Sequence, residues 1–202
     1  MYEDLKNTVG EDFSEYYTKL KNAVAETSCE VIKYEGHLIT PYFHSVSAGM
    51  TRNAEEALGV SDYPYLISKE SSKDTEAEDY LTISYIDKTD FVNTLKKQQE
   101  DLQISEDNLF ENIQVLSRCS AGYVSSIQIG NCTFTGDQIQ MYFSLNSPFF
   151  EFENYEEQIR IICKGNGHGL GYSIYGGIKM AENGSLYKDI LTYYFTNVSI
   201  EK

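Results

Sequence analysis

Two periodicities of hydrophobic and polar positions divide the 202-residue chain into short elements. Apolar residues spaced three or four apart predict helices over the ranges 12–27, 89–99, 105–111, 135–145, 173–182 and 186–195. Alternating, β-branched stretches predict strands over the ranges 30–34, 38–44, 80–86, 113–118, 123–129, 132–135, 149–152, 158–163 and 197–200. Because there is no regular β-α alternation and no internal repeat, this order predicts an α+β fold. We expect a single mixed domain with antiparallel hairpins, a meander and several short helices.

Two stretches do not follow these periods. The run KESSKDTEAED at 69–79 is the most charged part of the chain and predicts an exposed excursion. The opening MYEDLKNTVGED is acidic, unlike a signal peptide, and places Tyr2, Leu5 and Val9 in no clear element. No apolar run reaches the length of a transmembrane helix, so no membrane segment is predicted in this chain.

The formal net charge of −15 and the sequence pI of about 4.5 exclude several kinds of partner. Nucleic-acid binding needs a basic surface, and so does attraction to an anionic membrane. The charge is compatible with a neutral polysaccharide, or with a glycan that carries free amines.

The cysteine pattern predicts neither a metal site nor a disulfide framework. The four cysteines are widely spaced, at Cys29, Cys119, Cys132 and Cys163, and no C-x-x-C pair or zinc-finger histidine spacing is present. A chain of this length does not need disulfides to fold. We therefore expect four small, mostly buried hydrophobic residues, and their redox state stays open.

The densest local signal is the segment GNGHGLGYSIYGGIKMA at 165–181. Four glycines alternate with single residues around His168, and so much backbone freedom predicts a close approach to another group. A phosphate-binding loop is one possibility, but the spacing is G-x-G-x-G-x-G and no Lys-Ser/Thr pair follows. No G-x-S-x-G frame surrounds a serine either, so neither a nucleotide cofactor nor a nucleophilic serine is predicted.

This segment resembles the C-terminal signature of the SpoIID family, which contains G-x-GHG-x-G, SQYGA and MA motifs. Other segments resemble further parts of the same family in the same order: AVAETSCEVIKYEG at 23–36, PYFHSVSAGMTRNAEEALG at 41–59, YPYL at 63–66, RCSAGYVSSIQIG at 118–130 and FTGDQI at 134–139. Several motifs in one order are more specific than any single motif. The resemblance covers nearly the whole chain.

The resemblance implies a lytic transglycosylase that cleaves the glycan strands of peptidoglycan and leaves a 1,6-anhydro product. Such chemistry needs one carboxylic acid with a raised pKa, which protonates the leaving oxygen and then accepts a proton. The implied location is the cell wall or the outer face of the membrane. The implied partners are peptidoglycan glycan strands and other sporulation cell-wall proteins. The family is also related to amidase-enhancer proteins.

The chain departs from the family pattern at the catalytic position. The family's catalytic glutamate lies upstream of all matched segments, and no residue here matches it, so no catalytic residue is assigned. Glu3 and Glu11 lie in a polar segment that would not raise the pKa of a carboxyl. The Cys/His cluster of some members is also missing, so no metal is expected. Other departures are Ile174, Gly177, Gln140 and Asn146, which replace the family's glutamine, alanine and arginines.

Two explanations account for the missing acid. Met1 is an internal methionine of a truncated chain, or the chain is complete and binds glycan without cutting it; the abrupt opening favours truncation. Either way, we expect this chain to be inactive as a transglycosylase. The alternative function is a non-catalytic peptidoglycan-binding or amidase-modifying module.

The residues expected to line a sugar groove come from three of the matched segments. They are His44, Ser45, Ser47, Thr51, Tyr65, Gly167, His168, Gly169, Ser173 and Tyr175. Histidine and hydroxyl groups can exchange hydrogen bonds with sugar hydroxyl and acetamido groups, and tyrosine rings can stack on sugar faces. Each also has a structural alternative: His168 as a helix or strand cap, the hydroxyls in local turns, and the tyrosines in the core.

Overall fold

The structure is a computed structural model that describes residues 2–202. The fold is α+β, as predicted, and it divides into two compact units. The smaller unit contains the residues before Thr40 together with Val198–Lys202, and the larger unit is Thr40–Asn197. In the described part of the chain, no helix is both long enough and apolar enough to cross a membrane.

The smaller unit combines two helices with a three-stranded antiparallel sheet. Its elements are helices α1 (Tyr2–Val9) and α2 (Phe13–Glu26) and strands β1 (Val31–Tyr34), β2 (His37–Leu38) and β11 (Val198–Glu201). The strand order is β11-β1-β2, and the β1–β2 turn places Glu35 and Gly36 at positive φ, which is typical of a tight hairpin.

Two expectations for this unit were wrong. The opening residues form α1, although no element was recognised there. The helix predicted to begin at residue 12 begins at Phe13, and the Asp12 side chain makes no capping hydrogen bond. The reason is that Gly10–Asp12 already forms a 3-10 turn, so Asp12 lacks the extended backbone of a capping residue.

The larger unit contains two three-stranded antiparallel sheets. One has the order β4-β9-β8, from strands β4 (Leu81–Asp87), β8 (Phe150–Tyr155) and β9 (Gln158–Lys164). The other is the predicted meander β5-β6-β7, from strands β5 (Ile113–Arg118), β6 (Val124–Ile129) and β7 (Cys132–Phe134). Helices α4 (Lys88–Gln98) and α5 (Gly136–Phe143) pack with them around one apolar cluster.

Two local differences were found. The predicted helix at 105–111 is a series of turns, in which the Asn108 carboxamide oxygen accepts hydrogen bonds from both the backbone and the hydroxyl of Ser105. A short helix α3 (Ala54–Leu58) was not predicted, although Asn53 caps it and Gly59 ends it in the left-handed region.

The remaining elements surround the glycine-rich segment. Strand β3 (Phe43–His44) pairs in parallel with β10 (Tyr172–Ser173), and helices α6 (Ile174–Glu182) and α7 (Tyr187–Tyr194) follow.

The charged run at 69–79 is exposed at most of its positions, and three of its residues are buried. It contains a 3-10 helix, Ser72–Glu76. The charged side chains of Glu70, Lys73 and Glu76 are exposed to solvent, as predicted for this run. Ser71, Asp74 and Ala77, however, are buried. The segment is pulled inward because Asp74 forms buried hydrogen bonds.

Candidate functional site

The candidate site is built from two loops that lie side by side, loop 43–52 and the glycine-rich loop 164–173. Val46 and Asn166 exchange two backbone hydrogen bonds of 3.0 and 2.7 Å. The Arg52 amide donates to the Gly169 carbonyl oxygen at 2.7 Å, and the β3–β10 pair continues the contact. The backbones therefore join along most of the length of the two loops, which fixes their relative position.

The alternating glycines allow this close approach. Gly167 and Gly171 both lie at positive φ. A Cβ atom on Gly171 would lie 2.2 Å from the Tyr42 carbonyl oxygen, and one on Gly167 would lie 2.7 Å from the His44 Cβ. The group that the glycines approach is thus the protein's own loop, and this loop pair presents its outer edge to solvent.

Asp74 forms hydrogen bonds with residues of both loops. Its carboxylate is fully buried, and Oδ2 accepts hydrogen bonds of 2.7 Å from the Ser47 amide and from the Ser173 hydroxyl. The Ser173 hydroxyl also caps α6 by accepting from the Gly176 amide at 3.3 Å. Asp74 is therefore a shared acceptor that holds loop 43–52 against the start of α6, with no cation beside it in the ion pairs of the described residues.

Arg52 makes the second buried connection. Its guanidinium donates to both carboxylate oxygens of Asp137, at 2.8 and 2.9 Å, and to the His168 carbonyl oxygen at 3.1 Å. The Arg52 side chain is 3% exposed and that of Asp137 is 45% exposed. The carboxylate raises the pKa of Arg52 against the effect of burial, and the guanidinium also lies 5.4 Å from the centre of the Tyr123 ring.

The backbone N–H and C=O of Leu170 each contact a histidine. The Nδ1 atom of His44 lies 3.0 Å from the Leu170 carbonyl oxygen, which can only accept, so His44 carries its proton on Nδ1. The Leu170 amide donates at 3.0 Å to Nδ1 of His168, so neutral His168 carries its proton on Nε2. The backbone N–H and C=O of one residue thus select opposite tautomers in two rings whose centres are 5.8 Å apart.

Burial keeps both histidines neutral near pH 7. Burial of the His44 ring lowers its pKa from 6.5 to about 4, and Nε2 has no hydrogen-bond partner in the described residues. The pKa of His168 is also lowered, mainly by partial burial. A hydrogen bond between the His168 ring and the backbone of Phe43 acts in the opposite direction, but the net effect leaves His168 neutral rather than a cation.

The predicted groove residues separate into two groups. Ser47, Thr51, Tyr65 and Ser173 are buried together with His44. Their polar groups serve the protein itself: the Thr51 hydroxyl accepts from the Lys69 amide at 2.8 Å, and the Tyr65 hydroxyl accepts from the Thr40 amide at 2.9 Å. Gly169 is buried as well, where a Cβ would lie 2.7 Å from the Tyr123 hydroxyl oxygen.

The other predicted residues remain accessible. Ser45 is exposed, and Gly167, His168 and Tyr175 are half-buried. The ammonium of Lys179 lies 5.2 Å from the centre of the Tyr175 ring, so one ring face is already covered. Beside them lie Phe43, which is 62% exposed, and a tyrosine cluster in which the Tyr42 ring is edge-on to His168 at 5.8 Å. We call this accessible edge the His168 rim; it consists of Phe43, Ser45, Gly167, His168 and Tyr175.

Sequence reasoning missed the residues that hold the site together. Asp74 lay within the charged run, and Arg52 and Asp137 are separated by 85 positions. Tyr123 was also missed: its hydroxyl accepts from the Ala48 amide at 2.8 Å, and burial raises its pKa. A usable signal was present in the Arg52 motif, since an arginine within a small-residue loop is more often paired than free.

The described residues contain no group of three His, Cys, Asp or Glu side chains that could hold a metal ion. All four cysteines are free thiols. Cys163 is buried, Cys119 and Cys132 are half-buried, and Cys29 is exposed, which corrects the expectation of burial for that residue.

The chain is similar to sporulation proteins along almost its whole length, although no family model matches it. It is 32% identical over 198 residues to stage II sporulation protein D of Bacillus amyloliquefaciens, which covers 98% of this chain and 55% of that protein. The stage II sporulation protein D of Bacillus subtilis (strain 168) is 29% identical over 199 residues, 98% of this chain and 56% of that protein. The amidase enhancer of Bacillus subtilis (strain 168) is 25% identical over 225 residues, 88% of this chain and 32% of that protein. The chain thus spans about half the length of the stage II sporulation protein D relatives.

Proposed function

The chain belongs to the SpoIID family, and from this we propose that it binds the glycan strands of peptidoglycan during sporulation. The observation that carries the proposal is the loop pair. Its buried hydrogen bonds hold loop 43–52 and the glycine-rich loop together, while the His168 rim stays accessible. A preformed polar edge loses little conformational entropy on binding, which suits recognition of sugar hydroxyl and acetamido groups.

The charge and chemistry of the rim support the same class of ligand. A net charge of −15 disfavours anionic polymers but not an uncharged glycan. Neutral His168 offers an imidazole ring, Ser45 offers a hydroxyl, and Phe43 offers an exposed aromatic face. We place the protein at the cell wall, outside the membrane, as part of this proposal.

We further propose that this chain alone does not cleave the strand, because none of its residues matches the motif of the family's catalytic glutamate. A zymogram with purified cell wall tests this part: clearing by the purified chain would overturn it. Amidase modification is a second candidate, favoured by the similarity to the amidase enhancer. It predicts that the chain changes the rate at which a purified amidase degrades the same wall.

Binding is tested by co-sedimentation with purified peptidoglycan sacculi. We expect His168→Ala to weaken binding by about tenfold, the effect of about 1.4 kcal/mol, because the imidazole is the largest polar side chain of the rim after Tyr175 and lies between Phe43 and the glycine-rich loop. The matched control is His37→Ala in the smaller unit, where an exposed ring contacts only the Glu35 carbonyl in the hydrogen bonds found for it. It should bind like the wild type.

The variant His168→Asn separates a sugar contact from a local cap. An asparagine oxygen can still accept from the Leu170 amide, but it lacks the imidazole ring. If Asn restores full binding, His168 acts only as a cap and the rim assignment fails. If neither variant nor wild type sediments with sacculi, the glycan-binding proposal itself is wrong.

A further inference from the structure

A concave surface lies beside the tip of loop 43–52 and is lined by none of the residues of the His168 rim. This trough has a volume of about 520 Å³. The loop contributes Ala48, Gly49 and Met50, and the turn before β6 contributes Ser120, Ala121 and Gly122. Side chains this small leave the backbone accessible, and a volume of this size is within the range of small-molecule sites.

A second, smaller pocket of about 200 Å³ adjoins the trough. Glu70 and Ser72 line both concavities, so the two meet along this part of the charged run. The far end of the smaller pocket is formed by Met180, Tyr193 and Tyr194. Together they make one elongated depression, which we call the Glu70 groove.

The walls of the Glu70 groove are fixed by hydrogen bonds. The Ala48 amide donates to the Tyr123 hydroxyl at 2.8 Å, and the Ser71 amide donates to the Gly49 carbonyl at 2.9 Å. On the far side, the Tyr193 hydroxyl donates to the Glu70 carbonyl at 2.7 Å. The groove is therefore preformed, which lowers the entropic cost of binding an extended chain.

The chemistry of the groove favours a neutral ligand. The trough contains one charged side chain, the exposed carboxylate of Glu70, which can only accept hydrogen bonds when ionised. The smaller pocket adds Lys73, whose ammonium is paired with the carboxylate of Glu76. Sugar hydroxyl and acetamido N–H groups can donate to it, whereas sulfate or phosphate groups would be repelled. Met50 is 40% exposed and Tyr193 is 37% exposed, so apolar faces are available along the same groove.

We propose that the Glu70 groove is a second glycan-binding segment, which takes sugar units of a strand that also contacts the His168 rim. The ligand class is a neutral polymer of N-acetylated amino sugars. This inference rests on the proposed function. Loop 43–52 links the two sites, because its first residues belong to the rim and Ala48–Met50 belong to the groove.

The test fills the groove without disturbing the fold. Ser72 is exposed and lines both concavities, so Ser72→Trp should block the depression while Ser72→Ala leaves it open. The control for added bulk is Thr133→Trp on β7, an exposed strand position that accepts an aromatic side chain. Thermal unfolding should show the same midpoint for all three variants and the wild type.

Binding is measured by calorimetry with an N-acetylglucosamine hexasaccharide and by co-sedimentation with sacculi. We expect Ser72→Trp to weaken binding of both probes by about tenfold or more, and the two controls to stay within about twofold. Heparin, a polyanion of amino sugars, should not compete. Competition by heparin would overturn the neutral ligand class.

The outcomes separate this inference from the function on which it rests. If the wild type binds sacculi, His168→Ala weakens binding and Ser72→Trp does not, the groove is not a glycan site but the proposed function stands. If the wild type binds neither probe, glycan binding itself fails. If Ser72→Trp weakens binding and His168→Ala does not, the strand lies in the groove and the rim assignment is overturned.

Discussion

The larger unit has two interiors of opposite character. Beside the sheets, fourteen buried apolar residues form one cluster without an ionisable side chain. At the loop pair, the interior is polar, and it contains His44, Ser47, Thr51, Arg52, Ser71, Asp74 and Ser173. The first interior stabilises two sheets and two helices, and the second stabilises two loops that lack regular structure for most of their length.

The comparison shows how each interior obtains its stability. Hydrophobic burial is not directional. The stability of the cluster therefore depends on how well its side chains fill the interior and on the regular spacing of apolar residues along the strands and helices. A polar interior depends on identified partners, since a buried donor or acceptor without a partner costs about 1–3 kcal/mol. The polar interior should therefore be less tolerant of the loss of a single side chain, even though it contains fewer residues.

The largest effect should come from Asp74→Ala. Removing the carboxylate leaves the Ser47 amide and the Ser173 hydroxyl without their buried acceptor, and we expect a loss of about 4 kcal/mol in the free energy of unfolding. The apolar counterpart is Leu95→Ala in the cluster, which should cost about 3 kcal/mol. Urea unfolding measures both. A loss below about 1 kcal/mol for Asp74→Ala would show that the polar interior does not depend on this residue.

The Arg52–Asp137 pair should respond differently to the loss of each partner. Asp137→Ala leaves a buried guanidinium unpaired and should cost about 3 kcal/mol. Arg52→Met leaves a carboxylate that water already reaches, and methionine fills part of the volume, so we expect about 1 kcal/mol. Equal losses in urea unfolding would contradict the view that burial of the arginine dominates this pair.

The smallest effect concerns pH. Since burial lowers the pKa of His44 from 6.5 to about 4, the unfolded chain binds this proton more readily than the folded one. The contribution of His44 is complete above pH 6.5 and is lost as pH falls toward 4, by about 1.4 kcal/mol per pH unit. The lowered pKa of His168 acts in the same direction.

Unfolding curves at pH 7.0 and 5.5, with His44→Asn as the comparison, measure this term. Asparagine can donate to the Leu170 carbonyl but does not titrate, so the variant should lose less stability between these pH values by about 1 kcal/mol. Identical losses of stability in the two proteins would contradict the view that burial keeps His44 neutral.

The elements that sequence reasoning predicted well are those with local causes. The turn at Glu35-Gly36 and the helix start at Thr135 depend on residues within four positions of each other, and both are present. The predicted helix at 105–111 is instead a series of turns, so apolar spacing alone did not decide this short segment.

The candidate site was predicted only in part. The motifs identified the two loops that the structure brings together, but they did not distinguish Ser45 at the rim from Ser47 and Ser173 in the interior. Hydroxyl residues have the same composition signal in both positions. The two buried serines differ from the exposed one because they contact the carboxylate of Asp74. Asp74 belongs to the charged run, which its composition predicts to be exposed.

The sequence by itself determined the α+β class, the family and the position of the glycine-rich loop, because periodicity, turn residues and ordered motifs are properties of neighbouring residues. Only the tertiary structure decided what the glycines approach and which polar groups remain free. Those outcomes depend on Tyr42 and Asp74, which lie about 130 and 100 positions from their partners at Gly171 and Ser173. Contacts at such separations form only when the whole unit folds, so no local pattern encodes them.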